Sequence, residues 1–291
     1  MISGIAMEGN LAKIERDVLL RETVAEIESI LGNELENIVV ERAVLGLFFS
    51  GVKLTGGYGG LCFTPIKEIP EAVCCPSSAK AMPLSGRLSG RPVIEYVKDV
   101  FSDNILRKTL GIAAVNALST ICWERNPPKD YEIVIGEDSF DQVDVTQYSN
   151  PVVIGALVPI MKKFTKENID FKVLEMAPEV LKERERKFYA PDTDAHLYVP
   201  DADLLVITGV TIINDTLPEL LSMIKGNPRV IVTGPTASMI PTSFFKHGVT
   251  ELGGIVVTKP DEVLDIISEG GSGYHFFGKS AERTILKRKL G

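Results

Sequence analysis

The sequence predicts an α/β protein, a small α+β unit followed by a Rossmann-like, mainly parallel, doubly wound sheet. Three observations carry this. From about Pro151 onward, strand-like and helix-like stretches alternate, the order that builds a parallel sheet from βαβ units. The strand-like stretches are nearly continuous Val/Ile/Leu runs, as expected where helices cover both faces of a sheet. The chain before them opens instead with an amphipathic helix and closely spaced β-like stretches.

Taken in order, Leu11, Ile14, Val18, Leu19, Val24, Ile27, Ile30 and Leu31 recur at helical spacing, which predicts a helix. Gly32 and Asn33 supply its left-handed stop. Strands are expected at 37–42, 44–50 and 60–64, the last two joined by a glycine-rich connection over 51–60. Residues 70–92, rich in Pro, Ser and Gly, read as loop with room for one short helix. Helices follow at 93–101 and 104–123, the second with Asp103 as N-cap. The pair Pro127-Pro128 marks a break. In the second half, strands are expected at 152–155, 171–175, 204–208, 230–233 and 255–258, with helices at 157–166, 216–225 and 260–269. The basic cluster Lys287, Arg288 and Lys289 reads as the solvated end of a last helix.

Composition narrows the functional classes. With 291 residues, 45% apolar, the chain can bury a sizeable core without disulfides or a structural metal. Its net charge of −8 argues against nucleic acid and anionic membranes, neither of which attracts an acidic surface. No stretch approaches the roughly 18 uninterrupted apolar residues of a membrane span, and Met1–Asn10 lacks the pattern of a secretory signal. Met7 is a second candidate start. Cys62, Cys74, Cys75 and Cys122 show no paired spacing, which suits thiols in a reducing cytoplasm. The expected partner is a small-molecule ligand. A homo-oligomer is compatible with the sequence, and no cofactor is indicated.

Ligands of an open parallel sheet gather beyond the carboxyl ends of its strands, so the residues following each strand matter most. After the first comes Gly155-Ala156-Leu157, which lacks the further glycines a dinucleotide pyrophosphate requires. The second ends in Glu175, either an acceptor for a ligand diol or a solvated loop carboxylate. A nucleoside-like ligand without pyrophosphate, as in Rossmann-like methyltransferases, would suit that pair. The third runs into Thr208-Gly209-Val210-Thr211-Ile212-Ile213-Asn214-Asp215-Thr216, where hydroxyls, an amide and helix N–H groups could converge on a polar ligand. Capping and turn roles account for only part of that cluster. The fourth ends in a comparable loop, Thr233-Gly234-Pro235-Thr236, so Gly234, Pro235 and Thr236 join the candidate ligand-binding set with Thr208, Gly209, Thr211, Asn214 and Thr216.

Elsewhere, Thr55 and Tyr58 in the first unit offer hydroxyls beside glycine-rich backbone, or simply belong to a hairpin connection. Asn116, the polar group among Gly111, Ala113, Ala114 and Ala117, is either a satisfied core amide or a site residue. The segment Gly273–Ser280 formally fits a phosphate loop. A helix-like approach and bulky Tyr274, Phe276 and Phe277 argue against that use. His196, His247 and His275 lack metal-ligand spacing, so no protein metal site is expected.

These residues resemble a family of bacterial and archaeal proteins described as heavy-metal chelation domains of unknown function. The resemblance rests on Leu110-Gly111-Ile112-Ala113-Ala114-Val115-Asn116-Ala117, on Ile207 through Leu217, and on Thr233-Gly234-Pro235-Thr236. Further matches are Ala202-Asp203, Gly248-Val249 and Gly253-Gly254. The resemblance implies an enolase-N-terminal-like domain, placed here at 1–101, a Rossmann-like domain at 102–291, and a site between them. It also implies condensation or hydrolysis of a pterin-, flavin- or siderophore-like compound connected with metal handling. The alternatives are a non-catalytic module that sequesters or delivers a metal–ligand complex and, more weakly, a methyltransferase-like nucleoside binder. No nucleophile–base pair is evident, and catalytic residues are not assigned.

Overall fold

The computed structural model describes residues 16–69, 82 and 84–289. The start of the chain, Leu11 and Ile14 of the first predicted helix, and Cys74 and Cys75 lie outside the described residues.

Helix α1 (Val18–Leu31) buries Leu19, Leu20, Val24, Ile27 and Leu31, the stripe its spacing predicts. Gly32 ends it with φ at 48°. Strands β1 (Val39–Leu45), β2 (Phe49–Leu54), β3 (Tyr58–Phe63) and β4 (Arg91–Pro92) form an antiparallel sheet in the order β3-β2-β1-β4. Residues 51–60 correct the sequence expectation. Most of that segment is strand, with Gly51 paired to Leu61 and Val52 to Gly60 around a tight turn. Gly51, Gly59 and Gly60 answer to close packing, while Gly56 and Gly57 supply the positive φ of the turn. A Cβ on Gly60 would stand 2.0 Å from the Ala113 carbonyl oxygen of the helix lying on that face.

That helix is α3 (Ile105–Arg125), preceded by α2 (Val93–Asp99). Asn104, not Asp103, caps α3, its side chain accepting the Arg107 N–H at 3.0 Å. Gly111, Ala113, Ala114 and Ala117 are all buried; Ala113 and Ala117 let α3 lie directly on Gly60 of β3, and Gly111 lets it pack against Tyr96 and Val100 at the end of α2. Among the described residues α3 is the helix long and apolar enough to cross a membrane, yet 83% of that stretch is buried inside the protein.

The larger sheet has eight strands in the order β5-β12-β11-β10-β9-β6-β7-β8. They are β5 (Tyr131–Ile135), β6 (Pro151–Ile154), β7 (Lys172–Glu175), β8 (Tyr189–Pro191), β9 (Leu204–Thr208), β10 (Arg229–Thr233), β11 (Glu251–Val257) and β12 (Ala281–Arg288). From β11 across to β8 all neighbours are parallel, and β12 is antiparallel to both β11 and β5. The basic end of the chain is therefore the end of a strand and not of a helix. The reason is tertiary. Residues 281–288 find hydrogen-bonding edges on both sides, with Leu286 opposite Leu252 and Ile133. The connecting helices are α4 (Val158–Lys166), α5 (Ala195–Tyr198), α6 (Val210–Ile213), α7 (Leu217–Ser222), α8 (Thr242–Lys246), α9 (Pro260–Ser268) and α10 (Gly273–Phe276).

Helices α1 and α3 share one continuous apolar core with one face of the large sheet, including Leu205, Ile207, Val230 and Val232. The opposite face packs on α4 and on Phe140, Phe171 and Phe188. Helix α9, from the far end of the chain, covers the outer side of the small sheet, where Leu61 meets Leu264, Ile267 and Phe276. Arg42 and Lys53 tie the two together through Asp261, and Arg42 also through Asp265.

Candidate functional site

Of the parallel strands β6 enters first, β7 and β8 are laid on one side of it, and β9, β10 and β11 on the other. The direction reverses between β6 and β9, which is where an open α/β sheet splays its loops and leaves a crevice. At this point the register aligns one row of residues. Ile154 pairs with Leu174 and with Ile207, so the residues just beyond, Glu175, Gly155 and Thr208, lie side by side. Thr208 pairs with Thr233, and Thr233 with Gly253. Gly155 has φ at +90°, and a Cβ on it would come within 2.8 Å of Thr208 Cγ2. Glycine is required there twice over.

Glu175 lies across the turn into α4. One carboxylate oxygen accepts the Ala156 N–H at 2.9 Å and the other the Ala177 N–H at 3.0 Å. At the far end of the row, Ser139 Oγ reaches to within 2.1 Å of where a Gly253 Cβ would be, with Thr233 Oγ1 3.0 Å from that point. Ser139 Oγ is buried without a hydrogen-bond partner.

The threonine-rich segment is largely occupied with its own shape. Gly209 N–H donates to Thr233 O at 2.8 Å. Thr211 Oγ1 donates to Thr208 O at 2.7 Å. Asn214 Oδ1 accepts from the Thr216 N–H and hydroxyl at 3.3 and 2.8 Å. Asp215 takes φ of 59° and forms an ion pair with Lys108 of α3, which is buried.

In the next loop, Gly234 has φ at 124° and leads into Pro235 and Thr236. Thr236 Oγ1 accepts the Phe63 N–H at the end of β3, 3.0 Å away. Asn116 Nδ2 donates to Leu61 O, Pro235 O and Thr236 O at 2.8, 3.2 and 3.1 Å. The small lobe is thus clamped onto the strand-end loops. At the rim, Lys67 pairs with Glu179 across the two lobes at 3.4 Å. Cys62 sits in this clamp, and burial pushes its thiol pKa up against the smaller opposing influence of Thr236 and Lys108.

The candidates from sequence therefore divide. Gly155, Glu175, Thr208, Gly209, Thr211, Asn214, Thr216, Gly234, Pro235 and Thr236 converge on the carboxyl ends of β6, β7, β9 and β10, and Asn116 reaches the same loops from α3. Thr55 and Tyr58 do not. They occupy the hairpin at the other end of β3, where Thr55 bonds to Val39 and the Tyr58 hydroxyl donates to Glu124. Sequence reasoning missed Ser139 and Lys108, and named Thr233 in the fourth strand's end without placing it in the candidate set. Lys108 had a signal, since it stands in helical register with Ile112 and Asn116 on the buried side of α3. Ser139 had none, because only tertiary packing places it. In the phosphate-loop lookalike, the Lys279 and Ser280 N–H groups turn inward to Phe276 O at 3.2 and 3.1 Å.

Among the described residues no group of three His, Cys, Asp or Glu side chains is placed to hold a metal ion. A separate cleft of about 630 Å³ opens toward the amino ends of the strands, lined by Glu26, Trp123, Tyr131, Phe245 and Arg288 among others. It lies away from the strand-end loops that gather ligands in this architecture.

A small antiparallel sheet with helical cover, clamped over the strand ends of a mainly parallel sheet, defines a two-lobed α/β protein with a topological switch point between β6 and β9. The chain belongs to a family described as "Putative heavy-metal chelation". One model of that description matches residues 138–286 and a second matches residues 28–119. An uncharacterised protein of Methanocaldococcus jannaschii is 27% identical over 194 residues, 66% of this chain and 70% of that protein. A crystal structure of a protein of unknown function from Pyrococcus horikoshii superposes with a TM-score of 0.72 at 19% identity, covering 92% of this chain and 99% of the other. A second, from Desulfitobacterium hafniense, gives 0.69 at 20% identity over 92% and 100%. Both belong to the family matched by the C-terminal half, and at these identities they establish the fold alone.

Proposed function

We propose that this protein binds a small organic molecule of the pterin, flavin or siderophore kind in the crevice above β6, β7, β9 and β10, in connection with heavy-metal handling. The observation that carries this is the coincidence of the topological switch point with an in-register polar row, Glu175, Gly155, Thr208, Thr233 and Gly253. Metal would then arrive or leave as part of an organic complex, which suits described residues that hold no ligand cluster of their own.

Two modes share this site, condensation or hydrolysis of the ligand and plain carriage of a metal–ligand complex. Carriage is favoured by one feature: the Thr211 hydroxyl and the Asn214 amide oxygen are spent on local hydrogen bonds, which leaves them to shape a pocket rather than move protons. Native mass spectrometry of purified protein, followed by turnover assays on whatever co-purifies, separates the modes. A bound compound recovered unchanged supports carriage. Affinity for S-adenosylmethionine would redirect the assignment to a methyltransferase-like nucleoside binder.

Thr233 gives the sharpest single test of the site. Thr233→Val keeps the strand and its pairing and removes only the hydroxyl. It should weaken ligand binding by about 1–3 kcal/mol, because a buried ligand group loses its partner. Titration calorimetry and thermal melts on the same variant check this. Unchanged affinity with a lowered melting temperature would make the row architecture only.

A further inference from the structure

Resting on that small-molecule assignment, we propose that the crevice selects uncharged or cationic ligands bearing O–H or N–H groups and discriminates against phosphorylated ones, with Glu175 as the specificity-determining residue. Sheets of this kind commonly take an anionic group at the N-terminus of the helix after the first strand, where unspent N–H groups meet phosphate. Here the protein's own charge occupies that place. Helix α4, nine residues long, begins beneath the Glu175 carboxylate, which accepts Ala156 N–H and Ala177 N–H through its two oxygens. The next two N–H groups close on the turn itself, Leu157 onto Gly155 O at 2.8 Å and Val158 onto Ala156 O at 2.9 Å. The glycine N–H groups along the row are also spent, Gly155 on Leu174 O, Gly209 on Thr233 O and Gly234 on Gly253 O, each at 2.8 Å. A phosphate entering here would meet a fixed carboxylate, and these backbone donors are already engaged.

The groups that remain suit the opposite kind of ligand. A carboxylate oxygen that accepts one hydrogen bond keeps a second lone pair, so Glu175 can still accept from a diol or a ring N–H. Further along the row, beyond Gly155, lie the partly exposed Thr208 and Thr233. An independent observation stands at the other end of the row. Ser139 is 2% exposed and its hydroxyl has no partner, although it is directed onto Gly253 beside Thr233 Oγ1. Buried hydroxyls are rarely left unpaired in folded proteins, and a ligand hydroxyl in the row would complete this one. The row crosses five strands, roughly 19 Å at about 4.8 Å per strand, so an acceptor at one end and hydroxyls at the other read an elongated, neutral ligand, a heterocycle carrying a polyol chain.

Matched pairs differing only in phosphorylation test this: riboflavin against riboflavin 5′-phosphate, and neopterin against its 3′-phosphate, by calorimetric titration of the full chain. The unphosphorylated member of a binding pair should bind at least about tenfold more tightly, since like charges placed face to face are strongly disfavoured. Glu175→Gln should remove most of that preference. Ser139→Ala should weaken the unphosphorylated member by about fivefold or more with little change in melting temperature. Equal or tighter binding of the phosphate ester overturns the proposal and leaves the small-molecule assignment standing. A preference unmoved by Glu175→Gln, or an affinity unmoved by Ser139→Ala, overturns it too. Absence of binding by all four compounds overturns the pterin and flavin assignment itself, and this selectivity with it.

Discussion

Asn116 illustrates how one side chain can hold two lobes in register. Its amide hydrogens go to carbonyls of β3 and of the Pro235–Thr236 loop, while Oδ1 is buried without a partner. Asn116→Ala should destabilise the protein by about 1–3 kcal/mol, because buried carbonyls lose their donor. Asn116→Asp should cost more, since it faces the same carbonyls with negative charge, and denaturant melts of both variants check the order. Glu26 behaves in the opposite sense. Burial raises its pKa above the ordinary carboxylate value, against the smaller lowering influence of the Thr242 hydroxyl. The folded state then holds a proton more tightly than the unfolded one, so this residue's contribution to stability falls as pH rises from below about 4.5 through the folded pKa. Glu26→Gln should therefore melt higher than the parent at pH 7, and the advantage should vanish at acid pH where both states are protonated. A melting curve for each protein across that range decides it. Asn116 was visible in the sequence as the polar group of an apolar helix, whereas nothing set Glu26 apart from the other carboxylates of the amphipathic α1. Their partners were not visible there, because every one of them lies on a distant element.

At the scale of elements, legibility followed locality. The limits of β9 and the start of α9 match the sequence expectation, because each has a strong pattern of its own and a punctuating residue at the boundary. β12 was misread because Lys287 and Arg288 say nothing by themselves about strand or helix. What decides is the pair of edges offered by β11 and β5. The same holds for β2 and β3, where Gly60 admits α3 and Gly51 and Gly59 admit side chains of α9 and β11. Gly60→Ala tests this directly: the new methyl would meet backbone atoms of Ala113 and Ala117, at 2.0 and 2.7 Å, and neither can swing aside. A loss of about 3 kcal/mol or more is expected, measured by chemical denaturation, whereas substitution in a flexible connection would be nearly neutral. The threonine-rich strand end was legible as a cluster. Its division into residues that shape the turn and residues that face the crevice needed the register, which no local pattern carries.

For the whole molecule, the question is whether the lobes behave as one body. Leu19 and Leu31 of α1, Ile112 and Leu118 of α3, and Leu205, Val232 and Leu286 of the large sheet belong to one apolar core. Surface contacts such as the exposed Lys67–Glu179 pair add little by comparison. A single cooperative unfolding transition should result, with calorimetric and van't Hoff enthalpies in agreement, and two resolved transitions would show that the lobes fold apart. The interlocking has a further side, which lies in the order of synthesis. The small sheet is made from residues that leave the ribosome well before its outer cover, α9, which spans Pro260–Ser268. Domains commonly fold as they emerge, the earlier one first. This lobe has no such head start. Until α9 has been made, Leu61 and its neighbours face water or a chaperone, and the nascent lobe must wait for a helix about 200 residues downstream.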